Sequence, residues 1–334
     1  MMQTQTEFCT DFAKGDFSSL VASFELAGFE VQQPIEGALQ VCAKRTDVII
    51  GEERLRLFIS VGVHGDETAP IEMMAQLLYQ LAQTPQALAV DLLITIGNIG
   101  AIAQAKRFID VDLNRLFTPQ RQQFNDTHEA ARADQLMQVS QQFFAAHAHK
   151  WHLDLHTAIR ASFYPTFAIV PGAHNPDFIA WLDQAGIDAA VLNPQVSVTF
   201  SSYTCQHLGA VSCTAELGRV GELGKNDLTQ FVRTQAALDS LLRAGLVRTA
   251  AKAETATSPS ILVFRVAQEM IKRSEAFQLS FDGSTQNFTQ FAPNTVIATD
   301  GEHRYVVGPE PEYVLFPNQN VRVGLRAGLL VVRV

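Results

Sequence analysis

A largely apolar run over residues 55–63 stops at His64-Gly65-Asp66-Glu67, and a helical pattern begins at once. The run has the length and composition of a buried strand. Residues 68–81 predict a helix, with Ile71, Met74, Leu77, Leu78 and Leu81 on one stripe and Pro70 in the first turn. His64 and Glu67 therefore fall in a strand-to-helix loop at the carboxyl end of a strand, where open α/β sheets keep their ligand crevice. Gly62 and Gly65 permit a tight turn there. Alone, H-x-x-E more often marks a surface loop with two polar residues than a metal site, so its meaning depends on what else the chain brings to the same edge.

The surrounding pattern alternates strands with helices. A helical stretch over 17–26 and a strand over 38–44 come first; a strand at 92–96 and a long helix over 128–146 follow the first βα unit. Residues 151–156 alternate with period two, which sets His152, Asp154 and His156 on one face. Further strands are predicted at 166–170, 189–192 and 211–216. Helices are predicted over 176–185 and from an N-cap at Asp227 to about Arg243. Such alternation implies a largely parallel sheet covered on both faces, an α/β fold. An Ala/Thr/Ser-rich linker at 250–260 changes the character of the chain. Beyond it only strands are predicted, at 261–266, 276–281, 295–298, 305–307, 313–316 and 329–334. The expected division is a catalytic α/β domain, 1–254, and a smaller β-rich domain, 255–334.

The chain has 334 residues, 47% of them hydrophobic, and a formal net charge of −9. That charge, without a basic tract, argues against a nucleic-acid or anionic-membrane partner. Lys14 and Asp16 interrupt the amino-terminal segment, so no signal peptide is expected, and no run has the length of a membrane span. Cys9, Cys42, Cys205 and Cys213 lie far apart with no metal-knuckle spacing, which suits reduced thiols in a cytoplasmic protein.

Three strand ends carry the chemistry: His64 with Glu67, then His156, then Glu216. Parallel strands would bring them to one edge. Two histidines and a carboxylate form a catalytic zinc set with one position left open, and Glu216 then remains as the acid/base of a hydrolytic site. Taken singly, His156 reads as an ordinary core or surface histidine and Glu216 as a solvated cap. Asp154, on the face of His156, either orients groups behind the metal or forms an unrelated salt bridge. His147, His149 and His152 make a competing cluster beside Lys150 at a helix end, without a carboxylate. Arg107, Asn114 and Arg115 share one charged loop, 107–117. Arginine forks there can hold a substrate carboxylate and an oxyanion, and Arg160 is a further candidate for an anionic group.

His64-Gly65-Asp66-Glu67-Thr68, Asp112-Leu113-Asn114-Arg115, Asp154-Leu155-His156-Thr157 and Ala215-Glu216-Leu217-Gly218 occur in this order. In order and spacing they resemble the aspartoacylase and succinylglutamate desuccinylase family, itself similar to the zinc carboxypeptidases. Asn226-Asp227-Leu228, Val314-Leu315-Phe316-Pro317-Asn318 and Gly324-Leu325-Arg326-Ala327-Gly328 extend the resemblance to about residues 40–334. It implies a carboxypeptidase-like mixed, largely parallel sheet with a smaller all-β carboxyl-terminal domain. It also implies one zinc per chain on His64, Glu67 and His156, with Glu216 as acid/base. The implied reaction is hydrolysis of a small-molecule N-acyl amino acid, N-succinylglutamate, in arginine catabolism. A deacylase of another N-acyl amino acid, a carboxypeptidase and a non-catalytic zinc-binding protein stay open, as does the oligomeric state.

Overall fold

A computed structural model describes residues 4–44, 54–121, 124–145, 147–246 and 260–334. The chain begins with two helices, α1 (Gln5–Ala13) and α2 (Ser18–Leu26), and two strands, β1 (Glu30–Gln32) and β2 (Ala38–Cys42). Helix α1 starts in a reciprocal cap: Thr4 Oγ1 accepts from the Glu7 amide while the Glu7 carboxylate accepts from the Thr4 amide. The alternating region comes next as β3 (Arg56–Val61), α3 (Ala69–Leu81), β4 (Asp91–Ile96), the short α4 (Ile99–Ala103) and α5 (His128–Phe144). It continues as β5 (Lys150–Ala158), β6 (Phe167–Pro171), α6 (Pro176–Gln184), β7 (Ala189–Asn193), α7 (Phe200–Leu208), β8 (Val211–Arg219) and α8 (Val232–Ala244). The remainder is all strand: β9 (Leu262–Ile271), β10 (Phe277–Leu279), β11 (Thr289–Phe291), β12 (Val296–Asp300), β13 (His303–Val306), β14 (Glu312–Leu315) and β15 (Arg326–Arg333).

Among the described residues, twelve strands form one sheet in the order β1-β2-β4-β3-β5-β8-β6-β7-β9-β15-β14-β11, and β10-β12-β13 form a second. The centre is parallel, β4 to β3 to β5 to β8. Strand β6 runs antiparallel to β8, and β15, β14 and β11 add antiparallel beyond β9. The expected α/β architecture with a β-rich end is therefore present. Strands β3, β4 and β5 have no exposed residue, as a sheet covered on both faces requires. Phe12, Leu77, Leu78 and Leu241 contribute to one covering layer, and Leu136, Phe143, Phe144 and Phe200 to the other.

The linker read at 250–260 lies, apart from Ser260, outside the described residues. The carboxyl-terminal strands join the main sheet directly: β9 lies parallel to β7 with Ala189 opposite Leu262 and Leu192 opposite Arg265. Strand β9 also runs five residues further than its apolar pattern indicates, because antiparallel pairing with β15 carries Gln268 and Glu269 into the ladder.

Two glycines shape the loop after β3. Gly62 has φ +65°, the left-handed region that side chains disfavour. Gly65 is needed for space instead: a Cβ there would stand 2.4 Å from the Ala101 carbonyl carbon and the Ile102 nitrogen, and 2.5 Å from the Lys106 oxygen. These are backbone atoms, and they cannot swing aside. Replacing Gly65 by Ala is therefore expected to cost about 1–3 kcal/mol of stability, read by denaturant unfolding.

Candidate metal centre and active site

The register of the central strands assembles the site. Val61 pairs with Leu155, Leu155 with Ala215, and His156 with Glu216. The end of β5 therefore sits beside β8, and the loop after β3 arrives at the same edge. His64, Glu67, His156 and Glu216 are all buried, at 4, 2, 1 and 8% exposure. The three sequence-distant segments converge as expected.

Glu67 is the hub. Its Oε1 lies 2.8 Å from His64 Nδ1 and accepts from Arg107 at 2.7 Å; its Oε2 lies 2.8 Å from His156 Nδ1 and accepts from the Thr157 amide at 3.1 Å. The two imidazole Nδ1 atoms are 3.2 Å apart. Each histidine turns its other nitrogen to a carboxylate: His64 Nε2 to Asp112 at 2.8 Å, and His156 Nε2 to Asp154 at 2.9 Å. Asp154 thus takes the orienting position.

The electrostatics arise from burial among opposite charges. Burial opposes charging of both histidines, yet the carboxylates outweigh it, Glu67 with Asp112 for His64 and Asp154 with Glu67 for His156, and hold both above the ordinary value. Burial would raise Glu67, but His64 and His156 hold it well below the carboxylate range. A pocket that stabilises positive charge on two adjacent rings favours a divalent cation, which takes the same lone pairs and releases the protons. The ligand atoms of His64, Glu67 and His156 lie within 4.8 Å of one another, and imidazole, imidazole and carboxylate are the donors that zinc takes. The residues present fit the ion.

Glu216 is buried like Glu67 but lacks its donors. Burial first, then the Glu67 charge, pushes it up to about 7, and its Oε2 is buried with no hydrogen-bond partner. A carboxyl group with an affinity for protons near neutrality and an unspent oxygen is suited to proton transfer.

The loop at 107–117 is held from behind by Glu129 of α5. This fully buried carboxylate accepts from the Ile109, Asp110 and Val111 amides at 2.7, 3.1 and 3.3 Å and from Asn98 at 3.0 Å. Arg107 thereby reaches Glu67 and, at 3.1 Å, His64. Asn114 is buried, and its Oδ1 accepts from the Phe200 amide at the start of α7. Arg115 is the freer cation, about a third exposed, with one nitrogen on the Asn114 carbonyl. Arg160 spends its terminal nitrogens on the carbonyls of Gly283, Thr285 and Pro317 in the carboxyl-terminal region.

The competing histidine cluster does not gather. His149 is exposed, whereas His152 is buried in the sheet and stacked on Phe58 at 4.2 Å. Among the described residues the His64, Glu67 and His156 set is the one group of this kind.

Sequence reasoning gave no role to four contributors. Glu129 gave no local signal. Glu72 and Asn226 latch the loop after β8 to α3: the Gly224 amide donates to Glu72 at 2.6 Å, and Asn226 donates to Thr68 and Glu72. Arg326, at the start of β15, lies 3.5 Å from Glu269, and its charge is felt with those of Arg115 and Asp112; burial pushes it down to about 10. Its flanking glycines and leucine were visible in the sequence but gave it no role.

A buried His/Glu/His set that could hold one metal ion, at the carboxyl edge of a mixed sheet and with an unpartnered carboxyl oxygen beside it, defines an α/β protein with a site suited to hydrolysis. Residues 53–242 match the succinylglutamate desuccinylase/aspartoacylase catalytic domain, and residues 259–334 match the AstE/AspA barrel-sandwich hybrid domain. The chain belongs to this family. It is 42% identical over 285 residues to a succinylglutamate desuccinylase of Burkholderia lata, covering 84% of this chain and 79% of that protein. To the one of Paraburkholderia xenovorans it is 42% identical over 293 residues, with 85% and 83% covered. The crystal structure of succinylglutamate desuccinylase from Vibrio cholerae is similar over 95% of both chains, at 31% identity and a TM-score of 0.79.

Replacing His156 by Ala is expected to strip the metal, measured as equivalents by elemental analysis. His149→Ala should leave a full equivalent.

Proposed function

We propose that the chain is a zinc-dependent amidohydrolase that cleaves N-succinyl-L-glutamate to succinate and L-glutamate, a step of arginine catabolism. The observation that carries this reading is the buried, unpartnered Oε2 of Glu216 beside the His64, Glu67 and His156 set. Family membership and the Burkholderia and Paraburkholderia relatives support the substrate.

His64, Glu67 and His156 would hold the zinc, which would supply Lewis-acid polarisation of the scissile carbonyl and acidify water toward neutrality. The chain's own residues do the rest. Glu216 takes a proton from the attacking water and then delivers it to the departing amine nitrogen, which is otherwise too poor a leaving group. Arg107 offers its guanidinium to the oxyanion that develops on the carbonyl. Asn114 and Arg115 hold a substrate carboxylate and so fix the amide over the site. Arg160, whose terminal nitrogens hold three backbone carbonyls, is assigned to a second carboxylate.

Glu216→Gln is expected to retain the metal and lower turnover by at least about 10²; a near-normal rate favours the binding-protein reading instead. The same residue sets a pH limb. Its pKa is raised, so the base form is lost as pH falls through about 7. A bound cation pulls that point downward, so kcat/KM should decline on the acid side between the ordinary glutamate range and about 7. A profile flat across that interval removes Glu216 as the base.

Succinylglutamate is a trianion, and a protein of net charge −9 must meet it with local arginines. A site that pairs a carboxylate discriminates strongly against an analogue lacking it. Acetylglutamate should therefore fall at least about 10² below succinylglutamate in kcat/KM. Preference for acetylaspartate in the same panel selects the neighbouring deacylase reading, and preference for a dipeptide selects the carboxypeptidase reading.

A further inference from the structure

Behind His156 a line of polar side chains crosses the interior, and neither the metal set nor the reaction accounts for its length. Asp154 Oδ2 lies 2.9 Å from His156 Nε2, and Asp154 Oδ1 accepts from Ser60 at 2.5 Å. Ser60 Oγ lies 2.9 Å from His152 Nε2, His152 Nδ1 lies 2.8 Å from Thr204 Oγ1, and Thr204 Oγ1 lies 3.0 Å from Ser212 Oγ. All six residues are buried; Ser60, His152, Asp154 and Thr204 are fully so. The line is built by register: Ser60 is opposite Asp154, and His152 is opposite Ser212.

Proton counting gives the line a direction. An ionised carboxylate only accepts, and Ser60 has one proton, which goes to Asp154 in the shortest and charge-assisted bond. Ser60 must then accept from His152, so the His152 proton is on Nε2. Burial holds His152 down at about 4 and hence neutral, which leaves Nδ1 bare to accept from Thr204. The Thr204 hydroxyl gives up its other acceptors, the Phe200 and Ser201 carbonyls at 3.4 and 3.1 Å. From Thr204 onward every donor points toward Asp154. Asp154 answers by accepting from His156 Nε2, so the His156 nitrogen that can exchange its proton for a metal is Nδ1, the atom that faces Glu67 and His64.

We propose that Ser60, His152 and Thr204 are positioning residues for the metal: a one-way hydrogen-bonded line that pins the Asp154 carboxylate and thereby fixes His156 as an Nδ1 ligand. The inference rests on the proposed metal site but not on the choice of substrate. His64 needs no such line, because Asp112, its carboxylate partner, is fixed locally by the Asn114 amide at 2.9 Å. Among the described residues Asp154 has no amide donor of this kind, and it takes its second bond from Ser60.

Two measurements on the full chain test it, neither of them turnover. In protein labelled with nitrogen-15 at histidine, long-range proton–nitrogen spectra should show His152 neutral with its proton on Nε2. A proton on Nδ1 reverses the line and overturns the inference. Zinc affinity, from competition with a chromophoric chelator, should fall on the order of 10-fold in Ser60→Ala, recover in Ser60→Thr, and fall a few-fold in the near-isosteric Thr204→Val. Unchanged affinity in both Ser60→Ala and Thr204→Val overturns the inference alone. A wild-type protein that takes up no zinc removes the metal site and this inference together.

Discussion

The site depends on burying the carboxylate of Glu67, at 2% exposure. Removing such a group from water costs several kcal/mol unless donors surround it. Four do: two imidazoles, a guanidinium and the Thr157 amide. They come from the loop after β3, the end of β5 and the loop at 107–117, so no single segment can hold the charge. The third of these segments rests in turn on another buried acid, Glu129, which is satisfied by three consecutive backbone amides and Asn98. Loss of any one donor therefore leaves an unmet charge, which links the geometry of the site to the packing of α5 and the register of the central strands.

Much of this was legible because the signal was local or periodic. The apolar run ending in His64 and Glu67, the period-two face of His152, Asp154 and His156, and the strand ending at Glu216 place themselves once the sheet is taken as parallel. The long-range contributions stayed hidden. Helix α7 carries no apolar stripe, since Ser201, Ser202 and Thr204 are buried through hydrogen bonds, not through hydrophobicity. Glu129 reads as a surface acid in the first turn of α5, and only the fold shows three amides aimed at it. Helix α1 had a readable cap in Thr4 and Glu7, but a nine-residue helix is weakly specified without tertiary packing.

The carboxyl-terminal strands belong to the same structural problem. Strand β7 without β9 would present an open edge, a ready template for pairing with another chain; β9 closes it, and β15, β14 and β11 carry the sheet onward. Arg160 ties the end of β5 to this region through three carbonyls. Arg326, returning from β15, adds a cation within the influence of Arg115 and Asp112. The β-rich segment thus supports one side of the site and contributes charge to it.

Two glutamates in one pocket illustrate how environment assigns roles to identical side chains. Glu67 and Glu216 share burial, and burial alone would raise both. Glu67 has a full set of donors and is held well down in its ionised form. Glu216 has an oxygen with no donor and a negative neighbour, and its pKa rises to about 7. Pairs of titratable groups driven apart in this way mark the division between electrostatic and proton-transfer duties. Here that division comes from the segment that delivers each carboxylate. Glu67 comes from the loop that meets Arg107 and the Thr157 amide and is hydrogen-bonded to both. Glu216 comes from β8, opposite His156, and feels Arg107 only as a charge that burial and Glu67 outweigh.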